Sequence, residues 1–152
     1  MAKHAMWVSG YQVVSEDSGL SIERRGWGAT VSFPAESGRQ YWFHFAIPTP
    51  VVVADRRVNL TTVWVLFNTH SRTEIKRIDT WDGPKPIGKD QLNRHGDYSG
   101  TYDRMNRVDI RHGGMQLGLG VSVWVRVVDG PPGGPIELPQ ILFTAAGADF
   151  DV

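Results

Sequence analysis

The chain reads as an all-β protein, a single antiparallel β-sandwich of jelly-roll type, with a closed β-barrel as the alternative. Three observations predict this. Apolar residues recur with period two along many short runs, the pattern of strands with one face inward. Clusters of Gly, Pro, Asn, Asp and Ser separate those runs at short intervals. No stretch carries the period of an amphipathic helix, so nothing is available for a helical crossover between parallel strands. About ten strands at this spacing, without crossovers, make a sandwich or barrel.

Taken in order, strands are predicted near residues 5–8, 12–14, 20–24, 30–33, 40–47, 58–68, 74–81, 107–111, 118–128 and 140–146. The run at 40–47 is the richest. Tyr41, Phe43, Phe45 and Ile47 share one face and Trp42, His44 and Ala46 the other, and Pro48-Thr49-Pro50 ends the strand. The first set is expected in the core. At 63–68, Val63, Val65 and Phe67 oppose Trp64, Leu66 and Asn68. At 121–127, a stripe of Val121, Val123, Val125 and Val127 backs onto Ser122, Trp124 and Arg126, as in a strand with one wet face. Glycines at 114, 118 and 120 predict a bulge, a bend or a close backbone approach. Turns are expected at Glu36-Ser37-Gly38, Asp82-Gly83-Pro84, His112-Gly113-Gly114 and Asp129-Gly130-Pro131. Residues 84–107 are polar and lack alternation, so they read as a loop-rich insertion with short irregular strands inside one domain spanning 1–152. No internal repeat appears, which argues against a propeller or solenoid.

Composition narrows the function classes. A chain of 152 residues can bury roughly 70% of its unfolded surface and needs no covalent staple. It has no cysteine, which excludes disulfides and thiolate metal sites. Sixteen basic and sixteen acidic residues cancel, so no broad positive field exists to gather nucleic acid. With little net charge to keep copies apart, a homo-oligomer is expected. The apolar runs fall far short of the ~20 residues that span a bilayer, and residues 1–9 show no signal-peptide core. A soluble protein without membrane partners is expected, either cytoplasmic or exported without a visible signal peptide.

Several motifs occur in a recognisable order. Trp42-Phe43-His44-Phe45-Ala46-Ile47-Pro48-Thr49-Pro50 precedes Val63-Trp64-Val65-Leu66-Phe67-Asn68-Thr69 and Trp81-Asp82-Gly83-Pro84. Then come Leu117-Gly118-Leu119-Gly120-Val121-Ser122-Val123 and Ala145-Ala146-Gly147-Ala148-Asp149-Phe150. The chain thereby resembles a family of small microbial β proteins known only as a domain of unknown function. The resemblance covers nearly the whole chain and implies a single β-sandwich. It implies no activity, cofactor or catalytic residue.

The residues themselves offer few chemical tools. Six tryptophans, at 7, 27, 42, 64, 81 and 124, are many for this length. Indole rings stack on the apolar faces of sugars and on cations, but they also fill cores and interfaces. His44 shares its strand face with Trp42, and neighbouring strands could add Trp64 or Trp124. Asp79 lies on the face of Trp81 and could orient a polar ligand. The expected function is therefore non-catalytic binding of a small polar ligand, carbohydrate first, at Trp42, His44, Trp64, Trp81 and Asp82. An alternative is a small isomerase, cyclase or lyase with His44 as acid/base in an apolar pocket, assisted by Arg126 or Asp79. A third is a self-assembling structural subunit. No catalytic group, cofactor or metal site is expected. His4, His44, His70, His95 and His112 are scattered, and Asp97, Asp103, Asp109, Asp149 and Asp151 lack an EF-hand spacing for calcium.

Overall fold

Strand β5 (Gln40–Ile47) shows how the chain builds its core. Tyr41, Phe43, Phe45 and Ile47 are all buried, while Trp42 and His44 stay half-exposed. The same alternation runs through β13 (Leu119–Val127), where the four valines are buried. Each such aliphatic or aromatic side chain contributes about 1.5–3 kcal/mol of burial energy.

The computed structural model describes residues 3–134 and 137–152. Besides β5 and β13, the described residues form β1 (Lys3–Ser9), β2 (Val14–Ser15), β3 (Ser21–Arg25), β4 (Gly28–Ser32), β6 (Val52–Val53), β7 (Arg56–Arg57), β8 (Asn59–Asn68), β9 (Thr73–Asp82), β10 (Lys85–Asp90), β11 (Asp97–Tyr98), β12 (Arg107–His112) and β14 (Gln140–Asp151). The first sheet runs β11-β8-β14-β4-β3, with β1 also on β14 and β12 also on β8. The second runs β10-β9-β13-β5-β2, and β6 with β7 makes a small separate hairpin. All pairings are antiparallel.

Eight of these strands form the jelly roll. One sheet contains β4-β14-β8-β12 and the other β5-β13-β9-β10. The chain changes sheet at every step between them except at the β9–β10 hairpin, which gives the two interleaved Greek keys of that fold. That hairpin is the predicted Asp82-Gly83-Pro84 turn, with Gly83 at φ 58°. Phe43, Phe45, Phe67, Phe143 and Phe150 fill the space between the sheets.

Two departures from the predicted strands have physical causes, and the polar insertion is held in its own way. Residues Gly10–Gln12 form a 3₁₀ turn capped by Ser9, rather than the start of a strand. A Cβ at Gly10 would lie 1.9 Å from the Phe143 carbonyl oxygen, so the backbone can pass there only as glycine. Strand β14 runs on to Asp151, although Ala145-Ala146-Gly147-Ala148 has little strand propensity, because β1 and β8 pair with it on both sides. The polar stretch 84–107 contains β10 and β11 and is held by Arg94. This side chain is fully buried and donates to the carbonyls of Met105 (2.8 Å), Leu92 (3.0 Å) and Arg107 (3.1 Å), with Asp90 at 3.2 Å. One buried guanidinium thus ties two backbone segments, 90–94 and 105–107, together where apolar side chains are scarce.

Candidate functional site

Strand β13 is flanked by β5 and β9, so register alone lays out the outer face of the second sheet. Its rows are Gln40–Arg126–Glu74, Trp42–Trp124–Arg77, His44–Ser122–Asp79 and Ala46–Gly120–Trp81. A β-bulge opposite Trp124 and Val125 inserts Lys76 between Ile75 and Arg77. It re-aims two cations at one ring, as bulges commonly do. Trp42 and Trp124 stack with centroids 5.3 Å apart and planes 5° from parallel. The Arg77 guanidinium lies 5.1 Å from the Trp42 centroid and 4.9 Å from that of Trp124, and Lys76 Nζ lies 5.5 Å from the latter. These contacts engage both rings with each other and with cations. Glu74 and Arg126 pair beside them.

The next two rows are built differently. Arg77 Nη2 donates to Asp79 Oδ2 at 3.0 Å, and Nε lies 2.9 Å from Oδ1. Asp79 is only 8% exposed. Trp81 stands over Gly120, where a Cβ would meet its Cβ at 3.7 Å. Its Nε1–H donates to Ser122 Oγ at 3.1 Å. Ser122 Oγ lies 2.7 Å from His44 Nδ1, and His44 Nε2 lies 2.6 Å from Glu16 Oε1. Beside Trp81, a cleft of about 440 Å³ is lined by Arg77, Asp79, Trp81, Pro86, Gly88 and Lys89. It combines a half-exposed indole, a carboxylate, a guanidinium and an ammonium, the mixture expected of a polar-ligand site. A larger depression of about 800 Å³ lies on the other sheet, around Asn59, Asp109, Arg111, His112 and Asp151. None of its lining residues is Trp, Tyr or Phe.

The structure divides the predicted ligand residues. Trp42, His44 and Trp81 share the outer face of the second sheet, and Asp79 lies beside Trp81 as its spacing implied. Trp64 does not join them: it projects from β8 on the outer face of the first sheet, across the core. There it donates to Asp149 Oδ2 at 3.0 Å and meets Tyr102 edge-on at 5.6 Å. Asp82 is also absent from the face. Strand alternation turns it inward, where it is 3% exposed and accepts backbone N–H bonds from Gln116 (2.8 Å), Leu117 (2.9 Å) and Gly118 (3.2 Å), with His112 Nε2 at 3.3 Å. Burial alone would raise its pKa, but the bonds from Leu117, Gln116, Gly118 and His112 hold the carboxyl below the usual range. Asp82 therefore pins the glycine-rich loop that precedes β13.

Glu16, Arg77, Lys89 and Ser122 were not singled out from the sequence. A signal for Arg77 existed: Ile75 and Ile78 are both core, three residues apart, and this break in the period marks the bulge. Glu16 is placed by a backbone bond from its N–H to the Trp42 carbonyl at 3.2 Å, a pairing invisible in sequence.

The imidazole between a carboxylate and a hydroxyl invites comparison with nucleophile-activating triads. Ser122 lies in a strand paired on both sides, so the ladders engage its neighbours' N–H groups, and its Oγ already accepts from Trp81. His44 lies outside the cleft lining. Among the described residues, no group of three or more His, Asp or Glu side chains is placed to hold a metal ion.

Among solved structures, the chain is similar to a CBM61 module in complex with β-1,4-galactotriose, at 8% identity and a TM-score of 0.45, covering 93% of this chain and 86% of that one. It is similar to CBM86, a low-affinity xylan-binding module from Roseburia intestinalis, at 10% identity and a TM-score of 0.47, covering 99% and 97%. It is also similar to CsCBM6-3 from Clostridium stercorarium in complex with cellobiose, at 15% identity and a TM-score of 0.37, covering 91% and 92%. Scores this low carry no functional inference. No curated protein matches the chain in sequence. A family model spans residues 1–150 and agrees with the resemblance seen in the motifs: the chain belongs to DUF6623, a family of unknown function.

Proposed function

We propose that this protein is a non-catalytic carbohydrate-binding domain whose site is the cleft beside Trp81. The observation that carries the reading is the half-exposed Trp81 indole, set next to the Arg77–Asp79 pair in a cleft of about 440 Å³. A sugar ring has an apolar C–H face and a polar rim of hydroxyls. The indole takes the first, and fixed charged groups take the second through charge-assisted hydrogen bonds. Asp79 accepts from sugar hydroxyls while Arg77 and Lys89 donate to them. Because Arg77 and Asp79 already hold each other, little side-chain ordering is left for binding to supply. The stacked Trp42–Trp124 pair stands next to the cleft as a buttress that holds Arg77 in place.

Isothermal titration with galacto-, xylo-, cello- and uronate-containing oligosaccharides tests this reading. Saturable binding to at least one class supports it. Absence of binding across the panel, with the chain folded, overturns it.

A further inference from the structure

We propose that Ser122, His44 and Glu16 form a hydrogen-bond relay that locks the Trp81 indole in its ligand-ready orientation, which makes all three positioning residues for the cleft. The inference rests on the saccharide reading of that cleft.

The direction of each bond follows from the groups involved. An ionised Glu16 can only accept, so His44 Nε2 carries the proton in the contact at 2.6 Å. In the neutral ring Nδ1 is then an acceptor, and Ser122 donates its hydroxyl proton to it at 2.7 Å. The Ser122 oxygen is left as an acceptor for the Trp81 N–H at 3.1 Å. All three bonds point one way, from indole to serine to imidazole to carboxylate, and each polarises the next. The relay crosses β9, β13 and β5 and ends just beyond β2, so it joins four adjacent strands of one sheet.

Water competes with the relay unequally along its length. Ser122 is 5% exposed, whereas the Glu16 side chain is 59% exposed. The inner links are shielded and the outer link is not. Loss of Ser122 should therefore matter most, loss of His44 less, and loss of Glu16 least. An indole without its edge bond is less restrained about χ1 and χ2, and binding must then supply more of its ordering.

The indole N–H resonances in a ¹H–¹⁵N correlation spectrum test the relay directly, with Trp81→Phe identifying the Trp81 signal. Ser122→Ala should shift that signal upfield and weaken saccharide binding about tenfold. Ser122→Thr, which keeps a hydroxyl, should restore both. His44→Ala, which leaves the Ser122 hydroxyl in place, should still move the Trp81 signal and weaken binding about threefold. The relay is refuted if the Trp81 signal stays in place in both alanine variants, or if the saccharide binds Ser122→Ala as tightly as wild type. Should wild type bind no saccharide, the binding reading fails, and the resonance shifts alone still decide the relay.

Discussion

The two outer faces of this sandwich carry similar numbers of aromatic rings and use them differently. On the first sheet, register places Trp7, Gly147 and Trp64 in one row. Trp7 lies against Gly147, and Tyr102 meets both Trp7 and Trp64 edge-on at 6.0 and 5.6 Å. Asp149 takes the Trp64 N–H. These rings satisfy one another. On the second sheet, two rings are stacked beneath a cation, but the third, Trp81, stands apart with its edge tethered and a cleft beside it. Aromatic abundance alone does not mark a binding face. On the proposed reading, the mark is a ring that is held in place yet left unstacked, with ionised groups around it.

Paired substitutions can break or sharpen this contrast. The largest effects should come from truncating one ring on each face. Trp64→Ala removes packing and leaves Asp149 without its donor, so stability should fall by about 3 kcal/mol in denaturant titrations. Glycines beneath the rings give the next contrast. A Cβ on Gly147 would come within 2.5 Å of Trp7 Cδ2, whereas on Gly120 it meets Trp81 at ordinary contact distance. Gly147→Ala should therefore cost about 1–3 kcal/mol, and Gly120→Ala should stay within about 0.5 kcal/mol of wild type. Equal costs would show that the two rings sit on their glycines alike.

Asp82 supplies a smaller effect tied to pH. Its folded pKa lies below the unfolded value of about 3.9. Its contribution to stability is therefore complete above that unfolded value and is lost as pH falls through the lower folded one. Asp82→Asn should lower stability at pH 7 by about 1–3 kcal/mol, because an amide nitrogen cannot accept the loop's N–H bonds. It should also flatten acid unfolding below about pH 4. An unchanged acid limb would show that other carboxylates govern it. The smallest of the destabilising effects belongs to the buttress: Trp124→Leu should cost about 1 kcal/mol through the lost stack and cation contacts.

Much of the fold was legible because burial follows period two. The faces of 41–47, 63–67 and 121–127 emerge in the structure as alternation predicts. Strand β10 was not legible, since Lys85-Pro86-Ile87-Gly88-Lys89-Asp90 lacks alternation and is held by pairing with β9. Nor was the C-terminal half of β14, where small residues sit between two tryptophans supplied by other strands. For the site, alternation put Trp42 and His44 on one face but could not say which sheet β8 joins, and so grouped Trp64 with them. Asp82 was misgrouped because a turn motif reads as exposed, whereas the side chain points in. The relay joins residues 16, 44, 81 and 122, whose proximity is a product of sheet order alone.

The central claim is that only one of the two aromatic faces binds. Titration of wild type, Trp81→Ala and Trp64→Ala with the same oligosaccharide, at a temperature where all three are folded, tests it most directly. The account predicts that Trp64→Ala binds as wild type does, while Trp81→Ala loses about 2 kcal/mol or more of affinity. Retained binding in Trp81→Ala, or its loss in Trp64→Ala, would contradict it.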